Sequence, residues 1–364
     1  MKKWISRMMA LVLAGALTAC GQNTAGNSAA GTGTAAETAA QETTAANPVD
    51  NVQAAYPVTI IDQLGREVTI EEEPETIVSG YYISTSLLLA LNQQEKLVGI
   101  EAKAKSRSIY RLSAPEIIDL PNVGTAKEFD LEGCAALEPD LVIVPARLKD
   151  VIPSLEELGL TVIAVNPEDQ KLLEGAMDIL AAACGKQDQA EALHAFTEQK
   201  LAALKEKLDG TEAPTVYLAG NSALLSTAGP SMYQNSMIVN AGGKNAAEEL
   251  SDSYWAEISY EQLLAWNPDY IILASDASYT VDSVLDDPSL SGCSAVQNGN
   301  VYQLPNAIEA WDSPVPGSIL GSLWLANVLH PEQFTDEMWE QSAVEFYETF
   351  YRFTPDLENL YAAE

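Results

Sequence analysis

Short apolar runs and one long amphipathic stretch set out the chain as two similar halves. Around Gly65, the runs Val58-Thr59-Ile60-Ile61 and Val68-Thr69-Ile70 predict a hairpin with a glycine turn. Thr76-Ile77-Val78-Ser79 reads as a buried strand, residues 84–91 as a helix and Leu97-Val98-Gly99-Ile100 as a further strand. Strand, helix and strand at this spacing describe a parallel βαβ unit. Over residues 188–208, Leu193, Phe196, Leu201, Leu204 and Leu208 fall on one helical stripe with Glu, Gln and Lys elsewhere. A helix of about 20 residues spans ~30 Å, enough to run along two lobes as a stiff connector. The strand Thr215-Val216-Tyr217-Leu218-Ala219 then opens a second half, which closes with helices over residues 319–329 and around 336–351.

The most informative pattern is a pair of matching segments, residues 131–144 and 260–273. In the first, Glu132 stands eight positions before Asp140, which follows Pro139; in the second, Glu261 stands eight before Asp269, which follows Pro268. Each reads as a short helix, stopped by Pro-Asp, feeding a central apolar strand. Two copies about 130 residues apart imply two lobes of related architecture. The expected fold class is therefore α/β, with two Rossmann-like lobes, mostly parallel central sheets and one long helix joining them.

The N-terminal residues change the picture. Lys2, Lys3 and Arg7 precede an apolar run from Met8 to Leu17, the pattern of a secretory signal. That run is shorter than the ~20 residues needed to cross a bilayer. It ends at Leu17-Thr18-Ala19-Cys20, which resembles a bacterial lipobox with Cys20 as the lipidated first residue of the mature protein. Residues 21–55 are largely Ala, Thr, Gly, Gln, Asn and Ser, without apolar periodicity, and read as a flexible leash. The expected boundaries are a signal peptide over 1–19, lipidated Cys20 and tether over 20–55, an N-terminal lobe over 56–168, a connector over 169–210 and a C-terminal lobe over 211–364.

Charge excludes one class of partner. The 364 residues carry 19 Lys and Arg against 52 Asp and Glu, a formal charge of −33. Nucleic acid is not expected, since phosphate binding needs a basic footprint. Beyond Cys20, the cysteines Cys134, Cys184 and Cys293 have no CxxC spacing and allow one disulfide at most; Cys134 and Cys184, among alanines and leucines, read as buried thiols. The two histidines, His194 on the connector and His330 before Pro331, are too few for a bare zinc or manganese site or a haem ligand set. No cofactor is expected.

With these residues in hand, the chain from Tyr56 onward resembles the ABC-importer binding proteins for iron–siderophore complexes and cobalamin, the group with a helical backbone between lobes. The resemblance rests on the hairpin from Asp62 to Gly65, Asn122-Val123-Gly124, the two Pro-Asp strands, Ala241-Gly242-Gly243-Lys244-Asn245, and Gly299-Asn300-Val301-Tyr302 before Leu304-Pro305. It implies a cleft between the lobes, little hinge motion, and one acid near the tip of each lobe that docks on permease arginines. Glu132 and Glu261 match those acids; both also read as helix N-terminal carboxylates. The partners implied are an ABC permease dimer with its ATPase, a small ligand such as an iron chelate, and the membrane through the lipid anchor only; the protein is expected to be a monomer.

In doubly wound lobes, ligands meet the carboxyl ends of strands. That rule selects Tyr81 and Tyr82, the loop from Lys103 to Arg111, Arg147, the loop from Asn221 to Thr227, the loop from Ser275 to Tyr279 and Trp311-Asp312. Seven cations lie between residues 101 and 150, whereas Lys244 and Arg352 are the only ones from Thr211 onward. An anionic ligand is therefore expected to be gripped by the first lobe, with Arg107 and Arg147 as bidentate donors. Aromatic lining is expected from Tyr81, Tyr82, Trp255 and Trp311, and polar contacts from Asn221 and Asp312; Tyr254 and Trp266 read as core. An iron–siderophore is the first ligand reading, cobalamin the second and an oxyanion such as molybdate the third.

Enzyme motifs are sparse. Gly242-Gly243-Lys244 lacks the GxxxxGK[ST] spacing of a phosphate loop and reads as a helix-terminating glycine pair. GxSxG and HExxH do not occur. A hydrolase built on converging carboxylates is the distant alternative.

Overall fold

The computed structural model describes residues 55–125, 127–250 and 255–361. The expected signal segment, Cys20, nearly all of the tether and Tyr254 lie outside the described residues.

Strands β1 (Val58–Ile61) and β2 (Glu67–Ile70) form the expected hairpin, with Val58 opposite Ile70. Gly65 turns the chain at φ +77, a region that glycine enters without a Cβ penalty. Buried Asp62 holds the turn: its Oδ1 accepts from Leu64 N and Arg66 N, and its Oδ2 accepts from the Arg66 guanidinium at 2.7 Å. The same Oδ2 accepts from Ala164 N, which ties the hairpin to the first lobe.

That lobe is a four-stranded parallel sheet of β3 (Ile77–Ser79), β4 (Leu97–Ile100), β5 (Leu141–Pro145) and β6 (Val162–Val165), in the order β4-β3-β5-β6. Both faces of such a sheet are covered, which is why β5 and β6 are continuous apolar runs and why β3, β5 and β6 are buried throughout.

The second lobe holds β7 (Thr215–Ala219), β8 (Ser226–Ala228), β9 (Lys244–Asn245), β10 (Trp255–Glu257), β11 (Tyr270–Leu273) and β12 (Val301–Gln303). Its order is β10-β8-β7-β11-β12, with β9 also paired to β7. The β9-β7-β11-β12 part is parallel. β8 and β10 add an antiparallel edge that no pattern in the sequence marked.

The connector holds the expected long helix with a shorter helix packed along it. Helix Gln170–Cys184 is capped by Asp169 and ended by Gly185 in the left-handed region, and helix Gln187–Lys207 follows. His194 Nε2 sits 2.7 Å from Asp178 Oδ1 across the pair. Phe196 of the long helix meets Phe346 and Phe350 of the C-terminal segment, at ring centroid distances of 5.6 and 5.7 Å. From that segment Tyr351 Oη donates to Ser86 O in the first-lobe helix Tyr82–Ala90. One apolar core consequently runs through both lobes, joining Leu87 and Leu88 to Leu218, Ile238, Leu320 and Phe346, while smaller cores back each sheet.

Cys134, Cys184 and Cys293 are buried and unpaired. Burial pushes the Cys134 thiol up to about 11 and the Cys184 thiol up to about 12, so both are inert. Gly242, at φ +77, ends helix Tyr233–Asn240, and Gly243 N donates to Ile238 O as a helix-terminating glycine pair requires.

The two Pro-Asp copies perform the same task. Asp140 Oδ2 accepts from Thr76 Oγ1, Thr76 N and Glu75 N, each at 2.9 Å, while Asp140 N donates to Thr76 Oγ1. Asp269 Oδ2 accepts from Thr215 Oγ1 at 2.7 Å and Thr215 N at 2.8 Å, and Asp269 N donates to Thr215 Oγ1. Each aspartate thus clips the start of the neighbouring central strand. Partial burial pushes the Asp140 carboxyl up, but the Thr76 and Glu75 donors outweigh it and leave its pKa below the usual value. A depressed folded pKa makes this stabilisation complete above the unfolded value of ~3.9, and it is lost as pH falls through the folded one. Asp140→Ala is expected to cost about 1–2 kcal/mol in urea unfolding at neutral pH, with the gap from wild type closing in strong acid; an equal gap at both pH values rejects the clip.

Candidate ligand cleft

The carboxyl ends of the parallel strands in both lobes open onto one cleft of about 380 Å³. From the first lobe come Tyr81 and Tyr82 after β3, Glu101 and Lys103 after β4, Arg147 after β5 and Glu168 after β6. The second lobe contributes Asn221 after β7, residues 232–234 at a helix start, Trp255 and the segment 312–314.

Arg107 is fixed from two sides. Its Nε donates to Glu101 Oε1 at 2.9 Å, and its guanidinium carbon lies 4.2 Å from the centre of the Tyr82 ring. Glu101, itself buried, also accepts from Tyr110 Oη and Thr85 Oγ1, both at 2.8 Å. A buried carboxylate with three donors is fully paired, so it holds the guanidinium in place rather than competing for other partners.

Arg147 is looser. Its guanidinium carbon is 5.5 Å from the Tyr81 ring, and its nearest acid oxygen is Glu168 Oε1 at 3.8 Å. A half-exposed pair at that distance contributes little and leaves Arg147 available. Tyr81 and Tyr82 pack edge to face, 5.1 Å apart. Burial holds both phenols above their ordinary pKa, so both remain protonated donors.

On the opposite wall Trp255, 40% exposed, lays its ring against Gly220, where a Cβ would come within 2.9 Å of the indole. Asp312 is buried; its Oδ2 accepts from Ser275 N, and burial raises its carboxyl above the usual range. Gln234 Nε2 donates to Asp312 O at 2.7 Å.

Seven of the eight expected ligand residues, Tyr81, Tyr82, Arg107, Arg147, Asn221, Trp255 and Asp312, line this cleft together. Trp311 does not. It is 1% exposed, its Nε1 donates to Tyr347 Oη at 2.8 Å, and its ring packs edge to face on Trp339. The loop that carries it turns the indole into the core and offers its neighbours, 312–314, to the cleft. Glu101, Glu168, Tyr233 and Gln234 line the cleft without having been marked in the sequence. Glu101 and Glu168 follow strands and so fall under the strand-end rule, whereas an excess of cations in the same region marks only the arginines. Nothing local distinguishes Gln234.

Glu132 and Glu261 are exposed and stand in the first turns of helices Leu131–Ala135 and Tyr260–Trp266, outside the cleft. The Glu261 backbone N–H and the Ser259 hydroxyl hold the Glu261 carboxyl below its usual pKa. His194 and His330 lie outside the cleft as well, His330 beside Gly242 O at 3.3 Å.

Comparison with known proteins follows this geometry. The molybdate-binding protein MolA of Haemophilus influenzae is 26% identical over 82% of this chain and 92% of its own. The Fe(3+)-citrate-binding protein YfmC of Bacillus subtilis is 29% identical over 64% of this chain and 76% of its own. A crystal structure of a periplasmic solute-binding protein from Veillonella parvula superposes with a TM-score of 0.73 at 26% identity, covering 83% of this chain and 96% of that one. The family described as periplasmic binding protein matches residues 77–308. The chain thus belongs to the periplasmic binding protein family, and with its two α/β lobes around one cleft it is a substrate-binding protein of an ABC importer, not an enzyme.

Proposed function

We propose that the cleft captures an oxygen-rich anionic chelate, a ferric siderophore or similar iron complex, and presents it to the permease. The observation that carries this reading is the pair of arginines seated on Tyr82 and Tyr81, with Arg147 weakly paired, in a cleft that also offers the exposed face of Trp255. Arginine forks suit carboxylate, hydroxamate or catecholate oxygens, and aromatic faces suit the flat parts of a bulky guest. A compact oxyanion would leave most of about 380 Å³ to water. The relative that binds Fe(3+)-citrate is in keeping with the chelate. Molybdate is the second reading, favoured by the molybdate-binding relative that aligns over most of both chains. Cobalamin, the alternative raised from the resemblance, has less to recommend it, since its recognition gives two arginines no special task.

The acids Glu132 and Glu261 complete the reading as docking groups. They occupy corresponding places in the repeated helix–strand unit of each lobe, and a two-lobed protein meeting a dimeric permease needs equivalent anchors. Cys20 serves as the lipid anchor outside the cytoplasm, and the protein works as a monomer.

Quenching of tryptophan fluorescence in the purified folded domain, titrated with ferric chelates, cobalamin and molybdate, is expected to give its tightest response with a ferric chelate; a tighter response to molybdate would transfer the proposal to the oxyanion. Arg147→Ala should weaken the chelate by more than tenfold, about 1.4 kcal/mol, in titration calorimetry; unchanged affinity would remove Arg147 from the binding set. The double variant Glu132→Arg with Glu261→Arg should bind normally yet stop uptake in cells, and normal uptake would reject docking through these acids.

A further inference from the structure

The two arginines of the cleft are held in opposite ways, and the difference lies in their acids. Glu101 approaches Arg107 to 2.9 Å, with side-chain exposures of 7% and 28%. Glu168 stands 3.8 Å from Arg147, with exposures of 34% and 52%. An ion pair in contact and mostly out of water is little screened, so Glu101 cancels most of the field of Arg107. Arg147, in a wet and loose pair, keeps most of its own.

The same carboxylate fixes direction. Glu101 follows the end of β4, and it accepts from Thr85 Oγ1 on helix Tyr82–Ala90 and from Tyr110 Oη on helix Ser108–Ser113. Thr85 and Tyr110 are wholly buried, and Tyr110 Oη also lies 3.2 Å from Tyr82 O, which joins the two helices. Burial holds the Tyr110 phenol far above its ordinary pKa, so it stays a donor. Every member of this cluster belongs to the first lobe. With Nε on Glu101 and its guanidinium carbon 4.2 Å from the centre of the Tyr82 ring, Arg107 cannot turn without breaking one of the two contacts. Its two Nη groups make no hydrogen bond among the described residues and are the part left for a guest.

We propose that Glu101 is a positioning residue that neutralises Arg107 and aims it, so that Arg107 recognises where a pair of guest oxygens lies while Arg147 supplies the attraction by charge. A guest that fits carries one rigid pair of oxygens against Arg107, as in a carboxylate, hydroxamate or catecholate. It also carries a less constrained negative charge within reach of Arg147. The assignment rests on the anionic chelate reading of the cleft and gives its two arginines different tasks.

Two substitutions that change charge equally separate aim from attraction. Glu101→Gln and Glu168→Gln each remove one negative charge from the same cleft with almost no change of shape. Charge alone would make both bind an anion more tightly. In calorimetry of the intact chain with ferric citrate, Glu168→Gln is expected to bind about twofold more tightly and Glu101→Gln about fivefold more weakly, since a neutral acceptor holds the Arg107 Nε–H about half as well. Glu101→Asp, which keeps the charge but draws the carboxylate back by one methylene, should weaken binding too. Equal or tighter binding by Glu101→Gln, or a shift of both Gln variants in the same direction, overturns the assignment. A second readout needs no guest. In the ligand-free chain, the Arg107 Nε–H on its buried carboxylate should exchange slowly with water and give a resolved nuclear magnetic resonance signal, identified by its absence from Arg107→Lys. Glu101→Gln should broaden or remove that signal, and an unchanged signal overturns the positioning role. Where Glu101→Gln does not fold, Tyr110→Phe replaces it, because it takes one donor from the carboxylate and leaves both charges in place. Binding about threefold weaker then supports the assignment, and unchanged binding overturns it. If the wild type ignores ferric citrate, the chelate reading falls, and the Arg107 signal decides the positioning by Glu101 on its own.

Discussion

The shared apolar core between the lobes is the constraint on which the rest of the structure depends. Leu87 and Leu88 from one lobe, Leu218 and Ile238 from the other, and Phe346 from the C-terminal segment belong to one buried cluster. Because that cluster is close packed, the two sheets cannot turn independently without breaking it. Their strand ends are thereby held toward a common gap. The helical hairpin of residues 170–207 and the Tyr351 bond to Ser86 reinforce the same arrangement from two further directions. A cleft built this way is preorganised, and a preorganised wall loses less ordering entropy when a guest arrives.

Electrostatics inside the gap differ from those of the whole molecule. The chain is strongly acidic, yet the cleft gathers three cations against three acids and places two helix starts among them. An anion approaching this protein meets repulsion at long range, damped over a Debye length of about 8 Å in physiological salt. Within the cleft, local donors take over. Some of these are firmly supported: Glu101 holds Arg107, Tyr110 and Thr85 hold Glu101, and Asp312 accepts from Ser275 N.

The repeat seen in the sequence turns out to be a structural device as well as a sign of common architecture. Asp140 and Asp269 bind threonines that lie 64 and 54 residues earlier in the chain, at the start of the strands they adjoin. Pro-Asp stops a short helix and, in the same step, supplies the acceptor that sets the register of two central strands. The glutamates eight residues upstream remain at the surface, free of this task, which is compatible with a role toward a partner.

Periodicity and local composition were enough for the hairpin, the strands of the first lobe, the strand Thr215–Ala219, the long helix and the doubling of the lobes, because each depends on residues adjacent in sequence. Strand ends are local too, so Tyr81, Tyr82, Arg107, Arg147, Asn221 and Asp312 could be chosen without coordinates, and Trp255 was chosen for its aromatic ring. Tertiary structure alone decided the rest. Trp311 and Asp312 are neighbours in the chain, but only the packing of Trp339 and Tyr347 determines that the indole turns into the core while Asp312 lines the cleft. The antiparallel edge of β8 and β10 exists because a distant strand is there to pair with it. Gln234 is held in the cleft wall by Asp312 O, 78 residues away, which accepts from its amide. Local chemistry settles which way a segment folds; which of its side chains meets the ligand depends on contacts between segments, and no single stretch of sequence contains those.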